Sequence, residues 1–391
     1  MLNLRKLFSW WTFVVPGIAV VALGASWGRQ VSSVWMVILA LVLVGAVLAA
    51  VHHAETIAHH VGEPFGSLLL AVAVTVIEVS LILMLMMGSG GNTQTLARDS
   101  IFAVTMMTIN GIVGLCLLAS ARRDHLARFN AEGAGSALGA VILLAGLTLI
   151  LPRFTTSAPG MAFTSVQLVS IGILSLVVYG LFVYTQTIRH RDVFLPPDRS
   201  GAHPDCECQQ GEGTGISPVA SADNAADEEY DESQAPHKVS PRVLVASLGF
   251  LLIALVDVVG LAKVESPGIE SLVAHFGFPP ALVGVLIALI ILLPETIAAL
   301  KAANRSHMQT SLNLAYGSAM ASIGLTIPVL ALASFWLPGH LLLGLDAVHI
   351  ALFAISAVVS ILTIVRGRAN VLQGGLHLVL FVAFLLLTIL P

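Results

Sequence analysis

Long apolar runs separated by short polar breaks dominate this chain, at about 10–28, 31–51, 65–88, 100–120, 134–151, 164–187, 242–262, 279–301, 310–337, 342–365 and 371–390. Each is close to the length of about 20 residues that carries an α-helix across the hydrocarbon layer of a bilayer. The runs are apolar all round, neither two-fold alternating like strands nor one-sided like the surface helices of soluble proteins. The pattern predicts an all-α integral membrane protein with eleven transmembrane helices. Arg5 and Lys6 precede a first run longer than a usual signal-peptide core, with no clear small-residue cleavage site after it, so it reads as a retained helix.

The basic residues test the count, because loops on the cytoplasmic side collect Lys and Arg. Alternating the loops from a cytoplasmic N-terminus puts 14 of the 18 basic residues inside and leaves Arg29, Arg98, Arg153 and Lys263 outside. A membrane protein with its N-terminus in the cytoplasm and its C-terminus on the opposite side follows. Between the sixth and seventh runs, SADNAADEEYDES has too few bulky apolar residues to fold alone and reads as a cytoplasmic linker.

Polar residues inside the runs carry the chemistry. GSLLLAVAVTVIEVSLILMLMM holds one acid, Glu78, near its middle, and VGVLIALIILLPETIAAL holds Glu295 at the corresponding place 217 positions later. A carboxylate at that depth costs about 2.5 kcal/mol or more, so such residues face a protein interior or a wet cavity and mark ion or proton paths. The surrounding segments echo each other too. ETIAHHVG from Glu55 resembles ESLVAHFG from Glu270, each followed by a proline, Pro64 and Pro279, and Gln167 is set against Gln373. The chain therefore divides into 1–29, an extra helix; 30–190, a five-helix repeat; 191–241, the acidic linker; and 242–391, a second five-helix repeat. A repeat with an odd number of helices enters the membrane from the opposite side the second time. The halves are inverted, an arrangement of secondary transporters whose sites lie at the repeat interface.

Candidate ligands cluster around the two acids. Pro294 has no N–H, which frees the carbonyl of Ile290 four residues earlier. Thr75 shares a helix side with Glu78 and could offer a hydroxyl, or could bond back to its own helix. Asn110 and Ser318, in the helices that follow the acids, are candidates because a buried amide or hydroxyl needs a partner; the glycines and serines around them also serve close packing. Carboxylates with carbonyl, amide and hydroxyl oxygens suit a hard cation, and two carboxylates favour a divalent one such as Ca2+ over Na+ or K+. Two carboxyls in one dry site keep at least one proton when no cation is present, so cation and proton compete.

Composition agrees and excludes other classes. With 57% hydrophobic and 10% charged residues and a mean hydropathy of +0.93, the partner implied is the lipid bilayer. Nothing is basic enough for nucleic acid, three cysteines make no disulfide framework, no cofactor is called for, and no oligomeric state is specified. No nucleophile–base pair, phosphate loop or catalytic metal motif suggests an enzyme, and His53-Ala54-Glu55 lacks the spacing of a metalloprotease helix.

The segments PFGSLLLAVAVTVIEVSLI, FPPALVGVLIALIILLPETIAALKAANR and NLAYGSAMASIGL resemble the paired repeats of the calcium/cation antiporter superfamily, and within it the cation/proton exchanger group with its bacterial calcium/proton and sodium/proton antiporters. The resemblance runs from about Val34 to the C-terminus. It implies one extra helix plus two inverted five-helix halves, export of cations driven by proton entry, and central acids at Glu78 and Glu295. The Gly-Asn pair common before the acid in that group is replaced here by Val76-Ile77 and Leu293-Pro294. A channel is the competing class, since it also needs polar groups at depth.

Outside the centre, His52, Glu55, His59 and Glu63 would share one face of a helix continuing past span two, with His53 and His60 beside them. They read as a solvated helix extension or as a metal or pH-sensing cluster. Asp257 reads as late in span seven, near the outer surface. His203, Asp205, Cys206, Glu207 and Cys208 read as a tether with incidental ligands or a weak metal clip.

Overall fold

The computed structural model describes residues 4–29, 32–61, 65–88, 93–195, 241–336 and 341–390. The helices are α1 (Leu4–Ser26), α2 (Ser33–Val61), α3 (Phe65–Gly88), α4 (Leu96–Met106), α5 (Val113–Asp124), α6 (Ala131–Ala145), α7 (Leu151–Phe154), α8 (Ser165–Tyr184), α9 (Pro241–His275), α10 (Ala281–Asn304), α11 (Met308–Ala333), α12 (Ala347–Ile364) and α13 (Val371–Ile389). Helical turns of π geometry join α4 to α5 (Met107–Ile112) and α6 to α7 (Gly146–Ile150), and extend α8 (Thr185–Arg189). Among the described residues, 9 helical stretches are long and apolar enough to cross a bilayer, and two shorter apolar stretches, Trp11–Ser26 and Ala71–Met87, accompany them.

Helix starts are written in the sequence. Thr164 caps α8 and Asn370 caps α13, and in both the third helical residue, Gln167 or Gln373, reaches back to the cap backbone. This reciprocal pairing satisfies two backbone donors that an α-helix leaves open. It is the physical content of the Gln167/Gln373 echo. Asn130 caps α6 and Asp346 caps α12 through side-chain oxygens.

The chain ties its loops together at two opposite ends. At one, Asn313 Nδ2 donates to the carbonyl of Phe194 at 2.7 Å, the backbone N–H of Asn130 to Gln309 at 2.7 Å, and Ser306 to Asp124 at 2.7 Å. There too a two-residue strand β1 (Ala127–Arg128) pairs antiparallel with β2 (Arg368–Ala369). At the other end the N–H of Leu342 meets the carbonyl of Gln94 at 3.1 Å, Leu345 meets Leu149 at 2.9 Å, and Gly344 meets Met161 at 2.9 Å.

Packing is crosswise between the two halves: α2 lies on α9, α3 on α11, α10 on α4, α8 on α11 and α13 on α5. Small residues permit it. A methyl group on Gly324 would stand 2.8 Å from Cβ of Tyr179, and one on Gly374 would stand 2.9 Å from the backbone N of Leu118. Without a hydrophobic drive between helices in lipid, such close backbone approach is a main source of helix association.

One element differs from the sequence reading. The seventh span, read as 242–262, belongs to a 35-residue helix that continues through Pro267 to His275. The second run, 31–51, continues as a helix to Val61, in line with the helix extension read there. Lys263, Glu265, Pro267 and Gly268 look like a loop in sequence, yet packing against α2, with Gly268 beside Met36, keeps this stretch helical.

Candidate functional site

Glu78 is 0% exposed, and neither of its carboxylate oxygens has a hydrogen bond of good geometry. The hydroxyl of Ser322, on α11, lies beside it. Glu295 lies in the middle of α10 and is half-buried, with Oε2 enclosed and unpartnered. The charges of Glu78 and of Glu55, on α2, both reach Glu295. Glu78 and Glu295, on α3 and α10, thus lie within electrostatic reach of each other. Leaving the enclosed Glu78 carboxyl without donors costs about 1–3 kcal/mol, and more for the charged form, unless a proton or cation meets it.

A cavity of about 240 Å³ reaches this place between α3, α8, α10 and α11. Glu295, Thr75, Ser318 and Ser322 stand along it, and Gln186 and Asn313 line the part nearest the end where Asn313 bonds the loop after α8. The cavity therefore connects Glu295, and Ser322 beside Glu78, to one end of the bundle. A hydroxyl-rich wall leading to carboxylates offers oxygen ligands to a hydrated hard cation in steps.

The predicted ligands fall in different places. Ser318 lines the cavity. Thr75 also lines it, but its hydroxyl donates to the carbonyl of Ala71 at 2.8 Å, so only its oxygen lone pairs remain to offer. Ile290 is partly buried on the same helix as Glu295, one turn before Pro294. Asn110 is not among the cavity's lining residues. Fully buried in the π segment, it donates to Ser356 at 3.1 Å, and its Oδ1 lies 3.3 Å from Nδ1 of His377. Nε2 of His377 meets Thr363 at 3.3 Å. The amide found partners, as a buried amide must, but on α12 and α13.

Ser322 and Glu55 also stand near the two acids. In sequence Ser322 reads as a packing residue of its span, and Glu55 as part of a solvated extension or of a metal or pH-sensing cluster. That extension is helical, but part of it is interior. His53 is 1% exposed; its Nε2 donates to the carbonyl of Thr12 at 3.0 Å, and its ring stacks on Phe250 at 5.6 Å, joining α1, α2 and α9. His52 is exposed, and Glu63 and the side chain of His59 lie outside the described residues. Asp257 is corrected as well: it sits mid-helix in α9, 1% exposed, with Oδ2 unpartnered. Glu265, two turns on, is 2% exposed with Oε1 unpartnered; it was read as part of a loop. Among the described residues no group of three His, Cys, Asp or Glu side chains is placed to hold a metal ion. His203, Asp205, Cys206, Glu207 and Cys208 lie outside them.

Comparison with known proteins adds sequence and fold relatives. A family model described as sodium/calcium exchanger protein matches residues 31–188 and 246–390. An ionic transporter, y4hA of Sinorhizobium fredii, is 38% identical over 384 residues, 97% of this chain and 96% of its own. The sodium-potassium/proton antiporter ChaA of Escherichia coli is 31% identical over 378 residues, 96% and 95% of the two chains. Among solved structures, the Ca2+/H+ antiporter protein YfkE superposes with a TM-score of 0.67 at 15% identity, covering 98% of this chain and 100% of its own. The H+/Ca2+ exchanger CAX gives 0.66 at 14%, covering 98% and 88%. At such identities the last two establish a shared fold.

Proposed function

This chain belongs to the sodium/calcium exchanger protein family, and from that membership we propose that it is a secondary antiporter, exporting Ca2+, or Na+ and K+, from the cytoplasm of a bacterium in exchange for H+. The observation that carries the reading is the pair Glu78, fully buried with neither oxygen in a well-formed hydrogen bond, and Glu295, half-buried on the wall of a cavity. The sodium-potassium/proton antiporter ChaA and the Ca2+/H+ exchangers YfkE and CAX support the same class of cargo. All are exchangers and none an enzyme.

The architecture proposed is eleven spans, the extra helix of 1–29 followed by inverted repeats 30–190 and 242–391 around the linker 191–241. Both stretches matched by the family model fall within those repeats. Crosswise packing supports the two-fold relation: α3 on α11 mirrors α10 on α4, and α8 on α11 mirrors α13 on α5. The paired capping boxes of α8 and α13 support it again. Loop contacts sort as eleven crossings require, with β1 and β2 at the end proposed as cytoplasmic and Gln94, Leu149, Met161 and Leu342 at the periplasmic end. The cavity then opens to the cytoplasm.

Exchange follows from competition. Protonated, the empty site is close to neutral and can change the side it faces. A cation entering along Asn313, Ser318 and Ser322 displaces protons and draws the two carboxylates together, with Thr75, Ser318, Ser322 and the Ile290 carbonyl as further oxygens. Asn110, held by Ser356 and His377, is left out of this inward-facing set. On the other side protons take the carboxylates back. The doubly ionised, empty site is the state that seldom crosses, because two bare like charges at depth are costly. Among the described residues the cavity reaches Glu295 from one end, which favours exchange over a continuous pore.

Flux in proteoliposomes with an imposed pH gradient tests the reading. Ca2+, Na+ or K+ should move against the proton gradient and saturate, and Glu78→Gln or Glu295→Gln should abolish coupled exchange, with Asp at either position retaining part of it. Conductive, pH-independent flux would overturn the proposal.

A further inference from the structure

At the end of the bundle opposite the cavity, a second pocket of about 150 Å³ lies between α4, α10, α12 and α13. Its walls repeat those of the cavity. Counted from the first residues of α4 and α11, Arg98 and Phe102 occupy the places of Thr310 and Leu314; counted from the two capping boxes, Thr388 occupies the place of Phe182. Thr310, Leu314 and Phe182 line the cavity, while Arg98, Phe102 and Thr388 line the pocket. The difference is depth. The cavity reaches Glu295, whereas the pocket's lining on α10 stops at Val285, and Ala288 and Leu292, between there and Glu295, are buried.

What closes it is visible. The ring of Phe102 is packed edge-on between His349, at 5.1 Å, and Phe384, at 5.6 Å. Above it the charged groups that face the pocket hold one another. Arg98, from α4, bonds Asp99 at 2.8 Å and donates to the carbonyl of Gly344 at 3.2 Å. Asp346 meets the imidazole of His349 at 2.6 Å. α10 and α13 contribute no charged group to the lining.

We propose that this pocket is the periplasmic mouth of the cation and proton path in its closed form, with Phe102, between His349 and Phe384, as the gate and the Arg98–Gly344 bond as a latch across the two halves. The proposal rests on the antiporter reading and deepens it. Opening separates α12 and α13 from α4, lifts the rings off one another, and leaves Asp99 and Asp346 as carboxylates at the mouth, where a departing cation and an arriving proton would both meet them. A closed pocket of this kind is one of two discrete arrangements of packed helices, as rigid-body alternation requires.

The test is accessibility. In a chain with Cys206 and Cys208 replaced by Ser, Thr388→Cys is exposed to a membrane-impermeant thiol reagent on the periplasmic face of sealed vesicles, and exchange is measured in the same vesicles. Labelling should be several-fold faster during cation/proton turnover than in choline without a transported cation, and Phe102→Ala should raise the resting rate. Leu387→Cys serves if Thr388→Cys does not insert. Exchange that proceeds with labelling unchanged by turnover overturns the gate alone. If the parent chain shows no exchange, the antiporter reading falls and the gate with it.

Discussion

A carboxyl group shielded from water is stable only when a proton, a cation or a set of donors meets it, and the fully buried Glu78 and the half-exposed Asp346 show the contrast. Glu78 has no well-formed donor bond, as suits a group whose partner comes and goes. Asp346 is fully served: it caps α12 by accepting from the backbone N–H of His349 at 2.9 Å and contacts the same residue's imidazole at 2.6 Å. Burial alone would push its carboxyl up, but these bonds outweigh burial and hold it below the usual carboxylate value. A depressed group contributes stability above its unfolded value and loses it as the pH falls through the folded one. Asp346→Ala should therefore lower the thermal stability of detergent-solubilised protein at neutral pH by about 1 kcal/mol, and the gap from the parent should shrink as the buffer is made acid; a gap that widens there would contradict this. The acids themselves were legible in sequence because a lone Glu stands out in an apolar run. Their neighbours were not: Ser322 looks like any small residue of its helix, and the partners of Asn110 are 246 and 267 positions away in sequence.

At the scale of elements, hydropathy located the helices but not their ends. α9 was cut short at Lys263, so Asp257 was placed near the surface and Glu265 in a loop, although both are buried in one helix. Polar residues and Pro267 argue locally for a break; neighbouring helices override them by supplying contacts along the whole face. The close approach of α8 and α11 along the cavity rests on Gly324, where added bulk meets Tyr179. Gly324→Leu should force these helices apart, costing about 1–3 kcal/mol if accommodated at all, and lower both the yield of folded protein and the exchange rate. Gly317, where a methyl group meets nothing within 4 Å, makes the comparison: Gly317→Ala should fold like the parent.

For the molecule as a whole, the proposed odd helix number per repeat is the step from which the proposed inversion, shared midplane site and two alternating mouths all follow. A reporter fused after Pro391 should report the periplasm and one inserted near Asp223 the cytoplasm; both on one side would remove the inverted repeat. Most directly, the account claims that cation and proton compete for Glu78 and Glu295. Purified protein in weakly buffered detergent solution, titrated with Ca2+ or Na+ while the bulk pH is followed, should release protons on cation binding, with apparent affinity rising as the starting pH is raised, and the double change Glu78→Gln with Glu295→Gln should release none. Cation binding by the parent without proton release, or release that persists in the double variant, would contradict it.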